Sequence, residues 1–210
     1  MATTYYTTQK TNVNGSQTIS TKIYNYGYYP LLKGDFAPLV QLNKDSYISV
    51  QHYLDLQQPL VIAFYSRLDS NKSSFSTLIS LQRQVQLNGG NLVVIVNNTS
   101  RNLRKRLNEI SNLTVFYDYD NEIAEQFGLF DASNPLNNWL SGIDDANAIL
   151  PAIYLIAPDR QIIFHHVDYN FNLFSGESIS KPLIDQLNDA VSTLSTSYTY
   201  LSVWRNKLVS

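Results

Sequence analysis

The chain contains no cysteine. That absence excludes disulfides, thiolate nucleophiles, iron–sulfur ligation and cysteine-based zinc sites together. It leaves the compartment open, because a chain without thiols is indifferent to redox poise. Long hydrophobic runs are missing too: the best, Leu60–Tyr65 and Leu92–Val96, fall far short of the ~20 residues of a membrane-crossing helix. The opening residues, MATTYYTTQK, have no basic start followed by an apolar stretch, so no secretory signal is read there and a cytoplasmic location is expected by default. Charge is sparse. With 15% charged residues and a net charge of −2, nothing draws the chain in bulk to nucleic acid or to an anionic membrane. What is present is a globular composition, 44% hydrophobic over 210 residues, enough for one domain with a sizeable core plus extensions.

Residues 1–33 differ in character from the rest, being rich in Thr, Tyr, Asn and Ser. Alternation at Ile19, Thr21 and Ile23, with Asn14-Gly15 as a turn, predicts a strand or hairpin, an arm suited to covering a sheet edge. From Gly34 the pattern is regular. Leu60–Tyr65 and Leu92–Val96 read as strands buried on both faces. Between them, Phe75, Leu78, Ile79, Leu81 and Val85 recur at helical spacing until Asn88-Gly89-Gly90 stops the helix. Asn97-Asn-Thr-Ser caps a helix with Leu103, Leu107 and Ile110 inward. Val115–Tyr117 is a short strand, and Asn121–Phe127 a helix closed by Gly128, with Asp120 as its N-cap. Residues 152–156 and 161–167 flank the turn Pro158-Asp159-Arg160, a hairpin. A last helix, Ser178–Leu194, carries Leu183, Leu187, Ala190, Val191 and Leu194 on one face. The order β-α-β-α-β-α, then a hairpin and a helix, predicts an α/β fold with a central mixed sheet and helices on both faces. One core domain, 34–194, is expected, between the arm 1–33 and a helical tail 195–210.

Five segments then carry a family resemblance. Gly34-Asp-Phe-Ala-Pro-Leu-Val-Gln-Leu resembles G-x-x-A-P-x-F-x-L. Pro59-Leu-Val-Ile-Ala-Phe-Tyr-Ser and Asn91-Leu-Val-Val-Ile-Val resemble the strands on either side of the first helix. Phe116-Tyr-Asp-Tyr-Asp-Asn-Glu-Ile-Ala-Glu-Gln-Phe-Gly resembles D-x-D-x-x-x-A-x-x-[YF]-G. Leu150-Pro-Ala-Ile-Tyr-Leu-Ile-Ala-Pro-Asp-Arg resembles P-x-x-F-L-I-D-x-x-G. In this order and spacing they resemble the peroxiredoxin (AhpC/TSA, redoxin) family of the thioredoxin-like superfamily, over residues 34–168. The resemblance implies a thioredoxin-like, peroxiredoxin-type sheet. It also implies an active site that has lost its chemistry: the family pattern F-Y-P-x-x-x-T-x-x-C falls on Phe64 to Ser73, with Ser70 at the threonine and Ser73 at the peroxidatic cysteine. A serine hydroxyl is not ionised at neutral pH by a helix terminus and an arginine, and it forms no sulfenic acid. The family's arginine would fall near Pro151, where a thioredoxin-like proline stands instead, so Leu150–Pro151 is expected to be cis.

No catalytic residue, cofactor or metal is therefore expected. The ligand-binding candidates are Ser70, Ser73, Ser74 and Pro151, with a helix N-terminus offering N–H donors near Ser73. The function expected is a redox-inert binding or structural module, a pseudoenzyme, self-associating as a homodimer. Two alternatives stand beside it. One is a hydrolase using a serine or the cluster His166 and Asp168, although the only other histidines are His52 and His165 and no G-x-S-x-G elbow exists. The other is a regulator that docks on a thiol-active relative. Competing motifs have plainer readings. His165 and His166 point to opposite strand faces and cannot readily share an ion. Asp118-Tyr-Asp120-Asn121-Glu122 lacks the glycine and length of a calcium loop, and Asp144-Asp145 is equally unspecific. Arg101, Arg104, Lys105 and Arg106 form a solvated face, since phosphate recognition wants interleaved aromatics. In the tail, Tyr198, Leu201, Trp204 and Leu208 continue a helical stripe. It suits packing on the chain itself or on a second copy before any foreign partner, and the Tyr-rich arm is a second such surface.

Overall fold

A computed structural model describes residues 5–13, 16–24, 28–43, 48–65, 72–97, 101–140, 142–171 and 181–208. Strands β1 (Tyr5–Val13) and β2 (Ser16–Tyr24) form a two-stranded antiparallel sheet of their own. The predicted turn Asn14-Gly15 lies outside the described residues. Short strands β3 (Gln41–Asn43) and β4 (Ile48–Ser49) lead into helix α1 (Val50–Leu54).

The central sheet then builds in the expected order: β5 (Leu60–Tyr65), α2 (Lys72–Leu87), β6 (Asn91–Val96), α3 (Arg101–Asn108), β7 (Thr114–Tyr117) and α4 (Glu122–Gln126). After a loop with one 3-10 turn at Leu136–Asn138 come β8 (Ala152–Ile156), β9 (Ile162–Val167) and α5 (Lys181–Leu208). The five strands lie in the order β7-β6-β5-β8-β9. β5, β6 and β7 are parallel, and β8 and β9 antiparallel to their neighbours. This is the mixed α/β sheet that the alternation of apolar runs and amphipathic stripes required.

Each face of the sheet has its own core. Val61, Ala63 and Tyr65 of β5, with Val94 and Val96 of β6, meet Leu78, Leu81 and Val85 of α2, Leu107 of α3 and Leu187 and Val191 of α5. Ile62 and Phe64, with Val93 and Ile95, meet Leu54 of α1, Ile123 and Ala124 of α4, Phe127 and the 129–150 loop. Alternation along each strand sends neighbouring side chains to opposite faces, so two-sided burial makes the strands wholly apolar. Residues 34–37 run beside the start of β9: Gly34 N–H donates to Ile162 O at 2.8 Å and Ile162 N–H to Asp35 O at 2.8 Å.

Helix α5 runs without interruption through Ser195-Thr196-Ser197, where the tail was expected to begin. Ser195 Oγ donates to Asn88 O at 2.6 Å, which fastens this part of α5 to the turn after α2. Among the described residues no helix is long and apolar enough to cross a membrane.

Candidate functional site

The parallel strands β5, β6 and β7 all point their C-terminal ends toward one edge of the sheet, and in open α/β folds ligands gather at that edge. Tyr65 ends β5, and α2 begins at Lys72, so Ser73 and Ser74 lie in the first turn of α2. Ser70 lies outside the described residues, as do the side chains of Ser73 and Ser74.

Pro151 stands at the same edge, immediately before β8, and is buried. Phe64 of β5 is paired with Ala152, and Ala152 with Val167 of β9. The Pro151 carbonyl accepts the N–H of Asp168 at 2.8 Å, and Leu150 N–H donates to Leu129 O at 2.9 Å. The expected cis bond at Leu150–Pro151 is absent, because no peptide bond among the described residues is cis. Hydrogen bonds on either side of Pro151 close on a trans backbone.

These bonds also settle the histidines. His165 opposes Tyr154 and His166 opposes Ile153, so the two lie on opposite faces of β9. His165 Nδ1 accepts the Lys33 N–H at 2.9 Å, which ties the 28–37 segment to β9. Burial pushes the His165 pKa below the ordinary histidine value; Lys33 adds to that shift and Asp35 opposes it. His166 shares the face of Ile153, which packs in the α2 and α5 core. Burial lowers its pKa as well, against the pull of Asp168. His52 is exposed and stands edge-on to Tyr53. No three His, Asp or Glu side chains converge on a metal position among the described residues.

Sequence reasoning missed a polar tie at this edge. Asn97, immediately after β6, donates from Nδ2 to Asn147 O at 2.6 Å and to Asn121 Oδ1 at 3.2 Å. Asn121 Nδ2 donates to the same Asn147 carbonyl at 3.1 Å. Two amides thus hold the 142–150 loop over the strand ends. The one sequence signal was an asparagine directly after the apolar run Leu92–Val96, a position read as part of a helix cap.

The cap of α4 also differs from expectation. Asp118, not Asp120, takes the role: its carboxylate oxygens accept the N–H groups of Ile123 at 3.2 Å and Ala124 at 2.9 Å. Asn121 stands at the helix start with φ 58° and no side-chain cap bond. Burial raises the Asp118 pKa, the two N–H groups oppose that shift, and Glu122 and Asp120 add to it. Beside it a cavity of about 350 Å³ lies between β3 and β7, lined by Gln41, Asn43, Asp118, Asp120 and Glu122 among others.

The basic helix face does meet aromatic rings. The Arg104 guanidinium lies 5.7 Å from the ring of Tyr117 and 5.6 Å from that of Tyr119. The two rings stack nearly parallel at 9°. In the tail, Leu201, Trp204 and Leu208 fall on the last turns of α5, and their side chains lie outside the described residues.

No protein-family model matches the chain, and no curated protein matches it in sequence. Solved structures do. Thiol peroxidase from Chromobacterium violaceum superposes with a TM-score of 0.57 at 14% identity, over 79% of this chain and 91% of that one. Peroxidoxin BcpB from Mycobacterium tuberculosis gives 0.55 at 14% identity, over 77% and 97%. AhpC from Mycobacterium tuberculosis gives 0.52 at 12% identity, over 80% and 96%. The fold is peroxiredoxin-like, of the thioredoxin type.

Proposed function

We propose that this chain, a peroxiredoxin-like thioredoxin fold without a cysteine, works as a redox-inert binding or structural module that self-associates. One observation carries the reading: the count of cysteines is zero over all 210 residues. Peroxide reduction in this fold needs a thiolate to attack the O–O bond and a sulfenic acid to be recycled. Methionine, the one other oxidisable sulfur side chain, occurs once, at Met1. Within this reading the binding positions are Ser70, Ser73, Ser74 and Pro151. The test is consumption of hydrogen peroxide and an alkyl hydroperoxide with a dithiol reductant, at stoichiometric protein. The rate should equal the protein-free background, and any turnover would overturn the proposal. Calorimetry with carboxylates and phosphate probes the binding positions, and the absence of heat would remove them.

A second reading draws support from one hydrogen bond. Asp168 follows β9 directly, with its N–H donating to Pro151 O, and His166, two residues earlier, opposes Ile153 of the core that α2 and α5 share. In this reading His166, with Asp168 two residues on, is the general base for a serine in the first turn of α2. A fluorophosphonate probe tests this hydrolase: labelling of the chain that disappears in Ser73→Ala would favour it, and no labelling would discard it.

A further inference from the structure

We propose that the N-terminal hairpin is a self-pairing element: strand β1 of one copy adds to strand β1 of a second copy, giving a four-stranded sheet shared between two chains. The inference rests on the self-associating part of the proposed function and supplies its surface.

The argument starts from what the hairpin lacks. β1 and β2 are nine residues each, paired in register from Tyr5 with Tyr24 to Val13 with Ser16. Among the described residues they pair only with each other. An isolated two-stranded ribbon is marginal in water, and each of its outer edges is a row of N–H and C=O groups open to another strand. The strands contain no proline or glycine and only two charges, Lys10 and Lys22, within runs of Thr, Tyr and Ile. That is a strand composition with little of the charge that natural edges use to repel one another.

The occupant is chosen by length. A nine-residue edge extends about 30 Å. The chain's own central sheet offers β7, four residues long, and β9, six residues long with its start already bridged by Phe36 to Gln161. Neither matches. The hairpin of a second copy does. β2 leads after Tyr24 toward the buried Tyr28, and β1, the strand farther along the chain from the core, is the edge assigned to the second copy. An antiparallel two-fold centred on Gln9, the middle of β1, sets Lys10 one position from the axis, so no lysine faces its own copy.

The segment that follows the hairpin supports a second copy. Tyr29, Leu32, Phe36 and Leu39 are all exposed, Phe36 at 61%. This apolar strip within eleven residues of chain is surface that an isolated monomer leaves wet.

Sedimentation velocity on the full chain across a concentration series is the test, with Gln9→Pro and Lys10→Pro. Neighbouring strand residues aim their N–H groups to opposite sides, so one of these prolines strikes the outer edge whichever way the strand faces. Expected is a dimer for the native chain and at least about a tenfold weaker dimer for that variant. The thermal melt of the central domain should be unchanged. Gln9→Cys, the sole thiol of such a chain, should cross-link under oxidation, because opposed Cα atoms in an antiparallel pair lie about 4.5–5.5 Å apart. Glu109→Cys should not. A monomeric native chain would overturn both the inference and the self-association. A dimer that survives both prolines would overturn the hairpin's role alone. Neither result touches redox inertness, which the peroxide assay decides.

Discussion

Replacing Gly128 by alanine should be among the most damaging single-methyl additions this fold can receive. Gly128 follows α4 with φ +71°, and a Cβ built there would lie 1.9 Å from the Tyr29 carbonyl oxygen and 2.4 Å from its carbon. No rotamer relieves an overlap with backbone, so the 28–31 segment has to move off α4. That movement breaks the Leu31 N–H bond to Phe127 O and loosens Tyr28, which is buried edge-on against Trp139. The left-handed conformation costs an alanine about 1–2 kcal/mol, and a donor left unpaired about 1–3 kcal/mol. The expected loss is therefore about 2–5 kcal/mol. Gly142→Ala is the control, because Gly142 has φ +85° with nothing within 4 Å of its would-be Cβ. It should lose only the conformational part, about 1–2 kcal/mol. Urea unfolding of both variants reads the difference, and at this size each kcal/mol corresponds to about 2–4 °C in melting temperature. If the two alanines cost the same, the close approach of Tyr29 to Gly128 is not a constraint and the reasoning fails.

Asp118→Ala should cost about 1–3 kcal/mol, because it strands the N–H groups of Ile123 and Ala124; a chemical melt checks this, and a neutral result would deny Asp118 its capping role. Leu107→Ala should cost about 2–5 kcal/mol by opening a void between α3 and the sheet; Glu109→Ala, on the exposed side of the same turn, should stay within about 0.5 kcal/mol. The folded pKa values of His165 and His166 lie below the ordinary value, so the unfolded chain binds protons first as pH falls. Stability is then fully present above about 6.5 and declines as pH drops through it. Melting temperature followed from pH 8 to pH 5 should show that decline in the native chain and a shallower one in the His165→Gln, His166→Gln double variant.

The fold was legible because its signals are local. β5 and β6 are uninterrupted apolar runs, α2 carries its stripe at helical spacing, and Pro158-Asp159-Arg160 turns the β8–β9 hairpin. What stayed hidden depends on distance along the chain. The bond between Lys33 and His165 spans 132 positions, and the Arg104 contact with Tyr117 and Tyr119 requires α3 and β7 to be laid side by side first. Asp120 looked like the cap of α4 because it stands nearer the helical run. Asp118 wins since Asn121 turns left-handed and delays the helix, which brings the earlier carboxylate under the free N–H groups. At the candidate site the resemblance implied a cis bond at Leu150–Pro151, and Pro151 stands just before β8 with a trans one. The bonds on either side of it, to Leu129 and Asp168, join residues that no local pattern brings together.

The central strand has its two neighbours at very different removes. Leu60 of β5 pairs with Asn91 on one side and with Ile156 on the other. As the chain leaves the ribosome, β6 arrives soon after β5, whereas β8 comes almost a hundred residues later, about 5–20 s at ordinary rates of synthesis. Throughout that interval a wholly buried central strand has one edge open. The nascent chain is therefore most exposed to mispairing midway through its own translation, and slowing the ribosome between residues 97 and 150 should lower the yield of folded protein more than slowing it after residue 170.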